Sequence, residues 1–240
     1  MTVGGVWRNL YARISPTTEE TSHRLKPLSD VLRRKLVTLE QLEQQAKQKP
    51  DVLHELSDNL VFGEGNADAD LMLIGEAPGE EEDLSGRPFV GRAGQLLDRI
   101  LESVSIDRFD VYITNIVKFR PPGNRNPKPE EIAVSEGVLL EQIRLIRPQI
   151  IAPLGNVPTQ YFLQTREGIT KTHGQWYRWH GIDIFPLFHP AYLLRNPSRE
   201  QGSPKWQMWQ DMKELKSALS ALKPKSGQLV IDTAQQGNLF

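Results

Sequence analysis

Residues 71–79 read Leu-Met-Leu-Ile-Gly-Glu-Ala-Pro-Gly, an apolar run that enters a tight loop containing one carboxylate, Glu76. A short apolar run that ends at glycine and proline is typical of a strand buried on both faces. Farther along, a second apolar run, Ile182 to Phe188, leads into a loop that begins at His189. Open parallel sheets bind their ligands in loops at the carboxyl ends of the strands. We therefore expect Glu76 and His189 to face one cleft.

The chain between these two runs alternates between strand and helix patterns. Two more strands are predicted at 111–117 and 150–154. The helix patterns lie at 91–104, 129–146, 157–163 and 206–222. Strands joined by helical crossovers form parallel sheets that helices cover on both faces. The pattern predicts an α/β fold, a three-layer α/β/α sandwich around a central four-stranded parallel sheet.

The chain is predicted to have four regions. Thr38 and Gln41 match a capping box, which predicts that a helix begins at Thr38. The regions are an N-terminal extension (1–37), a helical segment (38–58), an α/β domain (59–222) and a flexible tail (223–240).

Composition narrows the function classes. The chain has 240 residues, 38% of them hydrophobic and 25% charged, and no apolar run long enough to cross a membrane. The N-terminus lacks the apolar core of a signal peptide, so we expect a cytoplasmic protein without membrane contact. No oligomerisation signal is visible, and a monomer is predicted. The formal net charge is −1, so any nucleic-acid contact must come from a local basic patch.

The chain contains no cysteine. This excludes disulfides, thiolate nucleophiles and cysteine-held metal centres. No other metal-ligand pattern is visible, and no metal site is predicted.

Several loops carry residues suited to chemistry, although each has an ordinary structural explanation. Phe89 lies in a loop of glycines and arginines; it fits a core position or a base-stacking position. Asn115 interrupts an apolar strand and must pair either with backbone or with a ligand. A lone histidine such as His189 is more often structural than catalytic. The acids at 80–83 argue against a phosphate site in the preceding loop. Together, the side chains of Glu76, Phe89, Asn115 and His189 indicate a site for a base that is flipped out of a nucleic acid.

The order of these segments resembles the uracil-DNA glycosylase superfamily, specifically its thermostable family 4. The similarity covers the chain from about residue 38 to the C-terminus. The matching stretches are 62–66, 75–79, 86–94, 112–125, 147–151 and 188–197.

The resemblance implies hydrolysis of the bond between uracil and deoxyribose in DNA repair. Glu76 and His189 would be the catalytic residues: neutral His189 would donate a hydrogen bond to uracil O2 as negative charge develops there. Asn115 would read the O4 and N3 edge, and Phe89 would stack on the flipped ring. The uracil-binding set is Gly75, Glu76, Ala77, Phe89, Asn115 and His189.

The resemblance also implies a surface for single- or double-stranded DNA. Tyr192, Leu193 and Leu194 are candidates for a wedge that fills the gap in the duplex, and Arg195 for a phosphate contact. The basic DNA-binding candidates are Arg92, Lys118, Arg120 and Arg125.

The chain departs from its relatives in two ways. Ala77 stands where better-known superfamily members have an aspartate that positions water, so Glu76 is the proposed replacement. Family 4 enzymes typically hold a [4Fe–4S] cluster on four cysteines, whose positions here read Phe119, Ser135 and, less securely aligned, Lys49 and Val52. We predict no cluster and no other cofactor, with apolar packing around Phe119 instead.

The tail ends Gln236-Gly237-Asn238-Leu239-Phe240. It resembles the Gln-x-x-Leu-Phe peptide by which bacterial repair proteins bind the replication sliding clamp, and Gln236, Leu239 and Phe240 would be the contacts. A polar tail that binds no partner is the alternative explanation of so short a motif. For the whole chain, two alternatives stay open: a glycosylase for hypoxanthine or xanthine, or a non-catalytic DNA-binding module tethered to the clamp.

Overall fold

The computed structural model describes residues 30–225, with side chains from residue 34 onward. Within this range the strands are β1 (Glu64–Gly65), β2 (Leu71–Gly75), β3 (Tyr112–Asn115), β4 (Ile150–Pro153), β5 (Tyr177–Trp179) and β6 (Ile182–Ile184). The helices are α1 (Asp30–Ala46), α2 (Glu80–Ser85), α3 (Arg92–Ser103), α4 (Pro129–Ile146), α5 (Asn156–Leu163), α6 (Ile169–Thr172), α7 (Pro190–Arg195) and α8 (Pro204–Ser220). Short 3-10 turns lie at Asp51–Leu53 and Pro122–Asn124.

The strands form one six-stranded sheet in the order β1-β3-β2-β4-β6-β5. The four inner strands are parallel, which confirms the predicted four-stranded parallel core. Each edge carries one short antiparallel strand, β1 beside β3 and β5 beside β6, so the sheet is mixed. Runs of two or three residues are too short to show a strand period, which is why the sequence analysis missed them.

Helices cover both faces of the sheet, because β2 is apolar at every position. Met72 and Ile74 pack into one core with α1 and α4, while Leu71 and Leu73 pack into a second core with α3 and α8. Successive strand residues point to opposite faces, so a fully apolar strand requires two cores. The predicted three-layer α/β/α arrangement is confirmed. Among residues 30–225, no helix is long and apolar enough to cross a membrane.

The predicted start of the first helix at Thr38 is wrong. Thr38 lies inside α1, where its hydroxyl donates a 2.8 Å hydrogen bond to the carbonyl of Arg34. A threonine hydroxyl bonds the carbonyl four residues earlier as readily as it caps a helix. The predicted boundary between residues 37 and 38 therefore falls within a helix. Residues 1–29, which include most of the predicted extension, and residues 226–240, which include the sliding-clamp motif, lie outside the described range.

The acidic run after the first loop forms α2, which the sequence analysis did not predict. Glu80, Glu81, Glu82 and Asp83 occupy its first turn. Carboxylates there stabilise the positive end of the helix dipole. The acids thus have a local structural cause, and they border the site described next.

Candidate active site

A cavity of about 790 Å³ opens at the carboxyl edge of the parallel strands. Four predicted residues from four segments line it: Glu76 after β2, Phe89 before α3, Asn115 at the end of β3 and His189 before α7. Ala77 also lines the cavity. The parallel strands bring these segments to one edge of the sheet.

Gly75, predicted to contact uracil, is not among the residues that line the cavity, but two of these side chains pack closely against it. A Cβ atom built on it would lie 2.3 Å from Asn115 Oδ1 and 2.7 Å from Phe89 Cζ. Any larger residue would push the amide and the ring away from the site. Gly75 therefore shapes the cavity by its lack of a side chain.

Glu76 carries a carboxyl group that burial keeps partly protonated near neutral pH. It forms no hydrogen bond or ion pair with any other side chain in the described range, and burial raises its pKa to about 7. A buried carboxyl without a partner resists ionisation. Such perturbed groups in clefts are typical of functional sites.

His189 is held as a neutral imidazole of one tautomer. The backbone N–H of Ala191 donates to His189 Nδ1 at 3.1 Å, so the ring proton lies on Nε2. Burial, followed by the nearby charge of Arg195, lowers the His189 pKa to about 4. The ring can therefore donate from Nε2 without carrying a positive charge.

Phe89 is buried and held in a strained backbone conformation, with φ at 52°. On one side, Glu82 Oε1 accepts hydrogen bonds from the N–H groups of Val90 and Gly91 at 2.9 and 2.8 Å. A left-handed phenylalanine persists only where its surroundings hold it. Glu82, from the acidic run, is therefore one of the groups that hold the Phe89 loop in place.

Arg108 holds the other side of this loop, and the sequence analysis missed it. Its guanidinium donates to the carbonyl of Pro88 at 2.7 Å, to buried Glu64 at 2.9 Å and to Asp98 at 2.6 Å. Glu64 also accepts two hydrogen bonds from Arg87. Arg108 stands in a turn just before the matching stretch 112–125, and its partners lie 10 to 44 residues away in the chain, so no local pattern could have indicated its role.

Asn115 is almost fully buried, with 2% of its surface exposed, and its side chain lines the cavity. Within the described range, its amide group forms no hydrogen bond with another residue. A buried amide needs partners. It therefore offers a paired donor and acceptor to a ligand in the cavity.

The basic residues predicted for DNA contact divide into two groups at the rim. Arg92 and Arg195 line the cavity, are exposed and form no ion pair within the described range. Arg125 also lines the cavity, but its guanidinium is bound to Glu131 at 2.6 Å. Arg120 lies nearby, with a hydrogen bond to Asn124 and a looser approach to an acid of α2. Arg92 and Arg195 are therefore freer than Arg120 and Arg125 to contact a phosphate.

Two predicted DNA contacts are wrong because the side chains are buried. Lys118 has 2% of its surface exposed and bonds only to protein groups. Leu193 has 1% exposed and packs in the core, so it cannot enter a duplex as part of a wedge. Tyr192 lines the cavity and stacks on Phe188, and Leu194 is half-buried beside it. The helical turn of α7 points Leu193 inward and its neighbours outward.

A further part of the rim was not predicted. Asn156, at the start of α5, and Ile169 and Thr170, at the start of α6, line the cavity. Asn156 Oδ1 accepts a 2.7 Å hydrogen bond from the N–H of Ile169, which ties the two helix starts together. The sequence signal that could have pointed there is Gly155, which comes directly before α5 and has φ at 93°.

The positions expected for cluster ligands do not fit an iron–sulfur cluster, because none carries a thiolate. Phe119 is buried in the core against α1 and α4, and Lys49 Nζ lies 5.8 Å from the centre of its ring. The buried hydroxyl of Ser135 has no hydrogen-bond partner among the described residues, and Val52 is exposed. Over residues 30–225, no group of three or more His, Cys, Asp or Glu side chains could hold a metal ion.

Comparison with known proteins identifies the family of the chain. The model of the uracil DNA glycosylase superfamily matches residues 62–213. A type-4 uracil-DNA glycosylase of Thermotoga maritima is 50% identical over 150 residues, covering 62% of this chain and 78% of that protein. The type-4 enzyme of Saccharolobus solfataricus is 44% identical over 172 residues, 68% of this chain and 77% of that protein. The type-4 enzyme of Sulfurisphaera tokodaii is 43% identical over 155 residues, 61% and 70% respectively. The resemblance found in the sequence is confirmed, and the chain belongs to the uracil-DNA glycosylase superfamily.

Proposed function

We propose that this protein is a uracil-DNA glycosylase, which takes a flipped uracil into the cavity and hydrolyses its N-glycosidic bond in base excision repair. The observation that carries the proposal is the convergence of Glu76, Phe89, Asn115 and His189 on one cavity. The names and similarity of the type-4 relatives support it. The product is free uracil and an abasic site.

Recognition of the base falls to Asn115 and Phe89. The Asn115 amide donates to uracil O4 and accepts from N3–H, a pattern that the exocyclic amine of cytosine reverses. The Phe89 ring stacks on the base, a contact that contributes roughly 1–3 kcal/mol. Ala77 lines the cavity beside them, and Gly75, which has no side chain, leaves room for both.

His189 and Glu76 carry the chemical step. As the bond breaks, negative charge develops on the uracil and positive charge on the sugar. The Nε2–H of neutral His189 donates to uracil O2 and stabilises the departing anion. The ionised Glu76 carboxylate stabilises the sugar cation or orients the attacking water, since Ala77 offers no side-chain oxygen.

The exposed rim binds the DNA strand. Arg92 and Arg195 contact phosphates, which position the duplex without reading its sequence. Tyr192 and Leu194, now without Leu193, are the wedge candidates. Arg125 and Arg120 extend the basic rim where their ion pairs permit.

We further propose that the protein works without an iron–sulfur cluster. Phe119 is packed into the core, and Lys49 covers its ring, where the family places ligands. Every catalytic candidate belongs to the cavity, whereas none of the four substituted positions lines it. This separation supports catalysis without the cluster.

We propose that Gln236, Leu239 and Phe240 bind a replication sliding clamp. The motif itself is the support, since two apolar anchors at a chain end suit a hydrophobic groove. A pull-down with purified bacterial clamp checks this: deletion of Leu239 and Phe240 should abolish capture and leave excision unchanged. Equal capture with and without these residues contradicts the proposal.

A glycosylase assay tests the main proposal. Oligonucleotides with a single uracil, hypoxanthine, xanthine or mismatched thymine are incubated with the protein in single- and double-stranded form, then cleaved with alkali. Cleavage at uracil is expected. Cleavage only at hypoxanthine or xanthine indicates the other lesion class, and binding without cleavage at any base indicates a non-catalytic module.

A further inference from the structure

Lys118 is a buried lysine that forms no ion pair with any described residue. Its Nζ lies 2.6 Å from each of three oxygen atoms: Thr114 Oγ1, the carbonyl oxygen of Asn115 and Gln142 Oε1. Burial of a lysine without a carboxylate partner is energetically costly. Burial also lowers the pKa of Lys118 well below its usual value. Such a group needs a structural reason to be there.

The other hydrogen bonds of Thr114 and Gln142 leave their side-chain oxygens free to accept from Lys118. The Thr114 hydroxyl donates to the carbonyl of Phe62 at 2.8 Å, so its oxygen is free to accept. The Gln142 NH₂ group donates to the same carbonyl at 2.9 Å and to the Tyr112 hydroxyl at 3.1 Å, which leaves its oxygen to accept. Three acceptors match the three N–H groups of a lysine ammonium.

One of these acceptors belongs to the residue that faces the substrate. Lys118 holds the backbone carbonyl of Asn115, whose amide side chain lines the cavity. The next two N–H groups, of Ile116 and Val117, donate to the carbonyls of Gly75 and Glu76 at 2.9 and 3.1 Å. The peptide that Lys118 binds therefore joins the base-reading segment to the catalytic loop.

We propose that Lys118 is a positioning residue for uracil recognition: through the carbonyl of Asn115 it fixes the end of β3 so that the Asn115 amide meets the base edge. The proposal rests on the proposed glycosylase function. It replaces the phosphate contact that the basic loop had suggested. Lys118 touches neither base nor DNA and acts through Asn115.

The test is a double-mutant cycle between Lys118→Met and Asn115→Ala in the full-length protein, measured by single-turnover excision from a uracil oligonucleotide. Lys118→Met alone should slow excision by on the order of 100-fold, because a displaced contact group loses its alignment. In the Asn115→Ala background, the same substitution should change the rate by no more than about twofold. A lysine that merely stabilised the fold would slow both backgrounds equally, which would overturn the proposal.

Tyr112→Phe is the matched control, because it removes a hydrogen bond from the far end of the same network. It should lower the melting temperature with little effect on the excision rate. A rate loss as large as that of Lys118→Met would also overturn the positioning role. If Lys118→Met does not fold, Thr114→Val replaces it in the cycle, with a smaller loss that again disappears beside Asn115→Ala; additive losses count against the proposal.

Hydrogen exchange separates this inference from the proposed function. The amides of Ile116 and Val117 should exchange faster in Lys118→Met than in the parent protein or in Tyr112→Phe. If the parent protein does not excise uracil, the proposed function fails, and the exchange rates alone decide the role of Lys118. Equal protection of both amides in the parent protein and the variant would then overturn it.

Discussion

The rings of Phe89 and His189 lie with their centroids 5.7 Å apart and their planes inclined by 37°. Phe89 comes from the loop before α3 and His189 from the start of α7, and both line the cavity. The Phe89 ring and the imidazole donor are therefore in contact and form adjacent parts of the cavity wall. This relationship, with Asn115 and Glu76 beside it, gives the proposed reaction its specific tests.

His189 should act as a neutral donor over a wide pH range. Replacement by Leu should slow single-turnover excision by roughly 100- to 1,000-fold, the usual loss when one donor to a developing anion is removed. Because its pKa is about 4, the His189 contribution should stay constant from pH 8 to about pH 5. A midpoint near 6.5 that disappears in the Leu variant would show that His189 titrates normally.

The stability of the protein should carry the same signature. The His189 pKa is lower in the folded protein than its ordinary value of 6.5, so the unfolded chain binds the proton first as pH falls. This contribution is present above about pH 6.5 and is lost as pH falls toward 4. Urea unfolding at a series of pH values should therefore show a smaller acid loss for His189→Leu than for the parent protein.

Glu76, unlike His189, should make the excision rate depend on pH near neutrality. If its carboxylate is the active form, the excision rate should rise with pH to a plateau above about 7, the raised pKa. The Glu76→Gln variant should excise uracil more slowly and lose this rise with pH. Addition of Ala77→Asp to that variant should restore part of the rate, because it supplies a carboxylate nearby. An undiminished rate for Glu76→Gln would remove Glu76 from the mechanism.

Glu76 also affects stability. Its folded pKa lies above the ordinary 4.5, so stability falls as pH rises from about 4.5 to 7. Glu76→Gln should therefore unfold at higher urea concentration than the parent protein at pH 8 and show little difference at pH 4.

Arg108 should matter for substrate binding although it lies behind the site. Arg108→Leu removes the donor from the carbonyl of Pro88 and one partner from Glu64, so the Phe89 loop loses one of its supports. Affinity for a uracil oligonucleotide should fall by about 10- to 100-fold, as for a lost charge-assisted hydrogen bond. Arg144→Leu is the control, since Arg144 is exposed and pairs with Glu141 in the same helix. Equal affinities for both variants would contradict the role of Arg108.

Arg92 and Arg195, which form no ion pair with any residue in 30–225, should account for part of the salt dependence of DNA binding. Each of Arg92→Ala and Arg195→Ala should reduce the slope of log affinity against log salt by about 0.9 for a duplex, one phosphate each. Exposed Arg178 on β5, away from the cavity, pairs with Asp183 and serves as the control. Unchanged slopes, measured by fluorescence anisotropy, would exclude these two phosphate contacts.

The protein should contain no iron after anaerobic purification and attempted reconstitution with iron and sulfide. Phe119→Ala should lower the free energy of unfolding by about 3–5 kcal/mol, because it removes a large buried ring. Metal analysis and the visible absorption spectrum check the first point, and urea unfolding checks the second. Brown protein with stoichiometric iron would contradict the prediction that the cluster is absent.

Some parts of the structure follow from local sequence patterns, and others depend on contacts between residues far apart in the chain. Long apolar runs such as Leu71–Gly75 predicted the inner strands, because burial on both faces leaves a strong local pattern. The short edge strands and the start of α1 were missed or misplaced, since two residues or a threonine hydroxyl fit several local structures. Among site residues, motif positions such as Asn115 and His189 were found, whereas Arg108 has no local signal.

The buried position of Lys118 could not have been predicted from the sequence. Beside arginines in a loop rich in proline, a lysine is expected in solvent, and only the packing of α4 against β3 places it beside Gln142 and the Asn115 carbonyl. The sequence by itself determined the parallel α/β core, the superfamily and the four residues of the cavity, because these depend on apolar patterns and residue identities. Only the tertiary structure decided which basic residues are exposed and which groups hold Phe89 and Asn115. It also decided how burial shifts the pKa values of Glu76 and His189. Burial and long-range hydrogen bonds join residues far apart in the chain, so no local pattern contains them.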